Sequence, residues 1–113
     1  MSKQYDLYLG HNVPERNDWP VTDDELNEFL RLIRGDAPSI ISEFLLREVP
    51  LESYTLIKAQ GTWRDEREET TILRVIGEDK DLNIMRTIGK AYKARFGQEA
   101  VYLTVTDVEG ELL

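Results

Sequence analysis

What most constrains this chain is the order in which its hydrophobic period changes. Tyr5, Leu7 and Leu9 recur at every second residue with Asp6 and Tyr8 between them, the period of a strand with two unlike faces. Leu26, Phe29, Leu30 and Ile33 then recur at helical spacing. Two strand-like runs follow at 53–64 and 70–77, the second apolar on both faces apart from Arg74, as a central strand should be. Leu82, Met85, Ile88, Gly89, Tyr92 and Phe96 return to helical spacing, and Ala100 to Val105 reads as a last strand. Strand, helix, hairpin, helix, strand predicts an α+β fold of the ferredoxin-like βαββαβ type. Right-handed crossovers then give a four-stranded antiparallel sheet in the order 4-1-3-2, with both long helices on one face.

Local signals sharpen the boundaries. Gly10 ends the first strand, and His11 to Pro20 reads as a loop rich in breakers. Thr22-Asp23-Asp24-Glu25 is a capping box, with Val21 and Leu26 at the staple positions and Asp23 and Asp24 where the helix dipole favours anions. Gly35 is placed to stop this helix. Ile40, Ile41, Phe44 and Leu45 suggest a short extra helix near 38–48, ending before Pro50. The connection Asp65 to Glu69 is too charged to be buried. Asp79 or Asp81 caps the last helix, and Gly97 is placed to end it in the left-handed conformation. The tail from Asp107 to Leu113 either adds a short edge strand or stays loose.

Composition narrows the function classes. A chain of 113 residues with 41% hydrophobic content fits one domain, 1–113, with one core. Cysteine is absent, which removes disulfides, thiolate metal sites and a cysteine nucleophile. No apolar run approaches a membrane span, and the N-terminus lacks the apolar core of a signal peptide, so cytoplasmic residence is expected. Net charge is −8, which disfavours nucleic acid as a partner. Residues 12–52 carry ten acids and four bases, whereas 80–98 carry five bases and one acid. An acidic surface of this kind suits a basic protein partner, or simply solubility.

Gly61-Thr62-Trp63-Arg64, followed by Ala91-Tyr92-Lys93-Ala94-Arg95-Phe96-Gly97-Gln98, resembles a family of small bacterial and phage proteins catalogued only as a domain of unknown function. The family shares an early aromatic strand, a capped helix, a G-x-W-R hairpin and a helix ending in YK-x-RFGQ. The resemblance spans roughly residues 5–105 and departs at 35–52, where this chain is longer. It implies a fold and no established activity, so no catalytic residue transfers.

Motifs for chemistry are sparse. His11 is the only histidine. It follows a strand end and is the acid–base candidate if the protein is an enzyme, but no partner accompanies it in sequence, and a solvated loop histidine is the plainer reading. Asp23, Asp24, Glu25 and Glu28 could hold a hard cation, but capping already accounts for them, so no metal and no cofactor is expected. No phosphate loop, dinucleotide fingerprint, HExxH or GxSxG pattern occurs. Trp63 and Arg64 could anchor a partner, or Trp63 could close the core at the hairpin end. Tyr92 and Phe96 read as core.

Strand parity supplies the most informative constellation. If Leu7, Leu73, Val75, Val101, Leu103 and Val105 face the helices, then Tyr8, Arg74, Tyr102 and Thr104 lie on the opposite, uncovered face. Ile72 and Ile76 share Arg74's parity, and hairpin register decides whether Tyr54, Lys58 and Gln60 join them. Aromatic rings mixed with arginine make an adhesive surface. The leading expectation is a non-catalytic binding domain that self-associates through this face or docks on another protein, with a phage-type accessory or inhibitor as a sharper form. The alternative is a small enzyme or small-molecule-binding protein of the dimeric α+β barrel kind, with His11, Tyr8, Tyr102 and Arg74 as its acid–base and anion-binding groups.

Overall fold

The structure, a computed structural model, describes residues 2–12, 21–33, 54–63, 65–111 and 113, without the side chains of Leu32, Ile33, Trp63 and Glu66. The elements are β1 (Ser2–Gly10), α1 (Asp23–Ile33), β2 (Thr55–Trp63), β3 (Glu66–Gly77), a 3-10 turn (Asp79–Asp81), α2 (Leu82–Phe96) and β4 (Tyr102–Val108). The four strands form one antiparallel sheet in the order β2-β3-β1-β4, the expected order read from its other edge. The short helix expected near 38–48 falls outside the described residues.

Both helices pack on one face of the sheet. Tyr5, Leu7 and Leu9 of β1 and Leu73 and Val75 of β3 are buried there against Leu26, Phe29 and Leu30 of α1 and Met85, Ile88, Ala91, Tyr92 and Phe96 of α2. Phe29 lies edge-on to Tyr92 with ring centroids 5.4 Å apart, and Tyr92 leans on Phe96 at 4.9 Å. These are favoured aromatic geometries, and they join the two helices to each other as well as to the sheet. Val101 and Leu103 are half-buried against this core, whereas Val105 is 47% exposed because β4 is an edge strand.

The start of α1 and the end of α2 follow their sequence signals, while Gly35 lies outside the described residues. The Glu25 amide donates to Thr22 Oγ1 at 3.1 Å and the Thr22 amide donates to Glu25 Oε1 at 3.3 Å, a closed capping box, with Val21 and Leu26 both buried beside it. Gly97 takes φ 63°, a conformation that costs other residues a Cβ clash, and its amide donates to the Lys93 carbonyl. At the other end of α2 the expected cap is not made: Asp81 stands at the N-cap without a side-chain bond to the helix, and its Oδ2 accepts from the Glu78 amide at 2.8 Å instead.

The hairpin is tighter than its charges suggest. Trp63 pairs with Glu66, so β3 starts at Glu66 rather than at 70, and Asp65 takes φ 65° just before it. The charged run expected to be a loop is therefore strand. Arg67 and Glu69 remain exposed while their backbone groups stay in the ladder.

Candidate functional site

Residues directly opposite each other in a ladder share a sheet face. One rung across the uncovered face is Thr55, Arg74, Asp6 and Thr104; the next is Ile57, Ile72, Tyr8 and Tyr102. A third holds Ile76, Gln4 and Thr106. The four residues expected on this face, Tyr8, Arg74, Tyr102 and Thr104, are therefore neighbours. Tyr8 and Tyr102 have ring centroids 5.9 Å apart, tilted by 56°. Tyr102 is 69% exposed and Ile76 55% exposed.

Asp6 was not foreseen in this group, although it shares Tyr8's parity. Its carboxylate accepts from Arg74 Nε at 2.9 Å and from Arg74 Nη2 at 3.0 Å, and from Gln4 Nε2 at 3.4 Å. Asp6 is 5% exposed. The hydrogen bond from Arg74 holds the guanidinium pKa above its ordinary value. The charges of this pair cancel locally, and the surrounding rungs are otherwise uncharged.

Register decides which β2 residues join the open face. Lys58 pairs with Thr71 and Gln60 with Glu69, on the side that faces the helices, and Tyr54 packs against the core there. Thr55, Ile57 and Ala59 occupy the open face instead. The side chain of Trp63 and all of Arg64 lie outside the described residues.

His11 is not a solvated loop residue. It is 5% exposed, with Nδ1 2.9 Å from the Val21 carbonyl oxygen and Nε2 2.8 Å from Thr71 Oγ1. A carbonyl only accepts, so Nδ1 carries the proton; the hydroxyl of Thr71 can then donate to Nε2. The backbone is fastened as well: the His11 amide donates to the Glu69 carbonyl at 2.9 Å, and the Val21 amide to the His11 carbonyl at 2.6 Å. His11 thus ties the end of β1 and Val21, just before α1, to β3. It lies on the helix side of the sheet, so it cannot share a site with Tyr8, Arg74 and Tyr102. The four-residue acid–base set of the enzyme alternative is split by the sheet.

A cleft of about 440 Å³ opens beside His11, between the start of α1 and the β2–β3 ladder. Its lining includes Asp23, Lys58, Gln60, Glu69 and Thr71. Lys58 Nζ pairs with Asp23 Oδ2 at 3.1 Å, and both side chains are largely exposed. The acidic cluster at the start of α1 is thereby divided among separate tasks. Glu25 caps the helix, Asp23 meets Lys58, and Glu28 lies 4.0 Å from Arg95. Among the described residues, no three acidic or histidine side chains are grouped as a metal site would need.

The family model described as "Protein of unknown function (DUF3574)" matches residues 4–111. No curated protein matches the chain. Among solved structures, a phage SAM lyase in complex with S-methyl-5'-thioadenosine is similar, with a TM-score of 0.65 and 16% sequence identity. That likeness covers 94% of this chain and 81% of the lyase chain. At this identity the likeness concerns the fold. Among the described residues, no helix is long and apolar enough to cross a membrane.

Proposed function

The chain belongs to the DUF3574 family of proteins of unknown function, and from the chemistry of its open sheet face we propose that it is a non-catalytic binding domain that docks a protein there, a second copy of itself in the simplest form. The observation that carries this reading is the local neutrality of that face. The chain has a net charge of −8 and is 32% charged residues. Yet the rungs around Tyr8 and Arg74 hold isoleucines, threonines and tyrosines, and their only charges, Asp6 and Arg74, cancel each other. Interface centres are depleted in charge and enriched in tyrosine, and exposed apolar patches of this kind mark contact surfaces. The strand order and one-sided helices support a ferredoxin-like classification, and two such sheets packed face to face make a dimeric α+β barrel. The accessory-protein form of the reading draws on the acidity of the remaining surface and on the phage source of the similar lyase structure.

The test is solution mass across a concentration series, for the natural chain and for an Ile76→Lys, Tyr102→Asp variant. Both positions are exposed, so the variant should fold. Self-association that the variant loses supports the reading. A natural chain that stays monomeric, and that captures the same proteins as the variant, overturns it.

A second reading, binding or turnover of a small molecule, is favoured by the cleft beside His11. The similar fold of the phage SAM lyase, in complex with a small molecule, fits that reading.

A further inference from the structure

The sheet face under the helices changes character along its length. At one end it holds Val75, Tyr5 and Val105; the next rung is Leu56, Leu73, Leu7 and Leu103. Then β2 and β3 turn polar, with Lys58 opposite Thr71 and Gln60 opposite Glu69. Lys58, Gln60 and Glu69 are exposed on this side of the sheet, whereas Thr71 is buried. Here they line a cleft of about 440 Å³, within the usual range for small-molecule sites, and α1 begins at its rim with Asp23.

The cleft presents both signs of charge. Lys58 offers an ammonium, and Asp23 and Glu69 each offer a carboxylate. Gln60 adds an amide. Thr71 is 2% exposed and is fixed by His11 at 2.8 Å, so its hydroxyl oxygen is a positioned acceptor. The Lys58–Asp23 pair is 78% and 62% exposed, and such pairs open at little cost. Among the described residues the lining holds two carboxylates and one ammonium, a balance that repels simple anions. It complements a molecule that carries a cation and a carboxylate together.

We infer that this cleft binds a small zwitterion of the amino-acid type. Its carboxylate is taken by Lys58, and its ammonium by Asp23 and Glu69. The inference rests on the small-molecule reading and names the ligand class for it.

The test is amide-resolved NMR of the full chain, titrated to millimolar concentration with L-methionine, with propionate, with propylammonium and with uncharged adenosine. L-methionine should shift the amides of Gln60, Glu69 and Thr71 saturably, and neither half-molecule should. Lys58→Met, a change at an exposed side chain, should weaken that binding at least about tenfold while leaving distant amides in place. If a half-molecule or adenosine saturates the same amides, the cleft is a ligand site and the zwitterion assignment is wrong. If none of the four moves them, the zwitterion assignment and the small-molecule reading fall together.

Discussion

The guanidinium of Arg74 closes on the carboxylate of Asp6 with two hydrogen bonds, at 2.9 and 3.0 Å, between residues that are direct partners across β1 and β3. Asp6 is almost wholly covered although it lies on the face without helices. Arg74→Met leaves that carboxylate with the long hydrogen bond from Gln4 alone. Removing one member of a covered pair costs more than removing both. The urea midpoint should therefore fall further for Arg74→Met than for the Asp6→Asn, Arg74→Met double variant. Additive effects of the two single changes would contradict the coupling.

Tyr92 donates its hydroxyl to the Gly10 carbonyl at 2.6 Å in the buried core. Tyr92→Phe keeps the ring contacts with Phe29 and Phe96 but leaves that carbonyl short of a partner. The expected loss is about 1–3 kcal/mol in denaturant unfolding. The slope of the denaturant curve should be unchanged, since little packed surface is removed.

Tyr5 gives a pH dependence. Burial raises its phenol pKa above the ordinary 10.0, with the charge of Asp79 adding to the effect. A raised folded pKa means that the unfolded chain ionises first. The contribution to stability is therefore complete below the ordinary tyrosine pKa and is lost as pH rises through the folded one. Urea midpoints measured through this alkaline range should fall, and fall less steeply for Tyr5→Phe. At neutral pH the same substitution forfeits the hydrogen bond to the Glu78 carbonyl at 2.6 Å, a loss of about 0.5–1.5 kcal/mol.

The capping box predicts a local effect. Thr22→Ala should cost about 1 kcal/mol, and Thr22→Ser should restore most of it, read as thermal midpoints.

Gly89 lets α2 lie close against Leu7 of β1. A Cβ there meets Leu7 Cδ2 at 3.1 Å and Val101 Cγ1 at 3.6 Å. Gly89→Leu should therefore destabilise by about 1–3 kcal/mol through overpacking, in spite of leucine's better helix propensity. A variant as stable as the natural chain would mean that the helix can lift without loss.

Element types and order were legible because each rests on short-range periodicity: alternation over Tyr5 to Leu9, helical spacing from Leu26 to Phe29 and Leu30, and a glycine at position 97 where the chain must turn left-handed. The open-face group of Tyr8, Arg74, Tyr102 and Thr104 was legible for the same reason, since parity alone assigns a face once the strand order is known. The hairpin was misjudged because charge argued for a loop over Asp65 to Glu69, whereas cross-strand pairing from Trp63 with Glu66 extends the ladder through it.

The sequence by itself determined which residues could share a strand face or a helix stripe, because side-chain direction follows from backbone period. Tertiary structure alone decided what those residues meet. Asp6 and Arg74 are 68 positions apart, and Thr71 lies 60 from His11. Only the register of β1 against β3 brings either pair together. That register neutralises one face of the sheet, and on the other it turns a lone histidine into the buried support of a polar cleft.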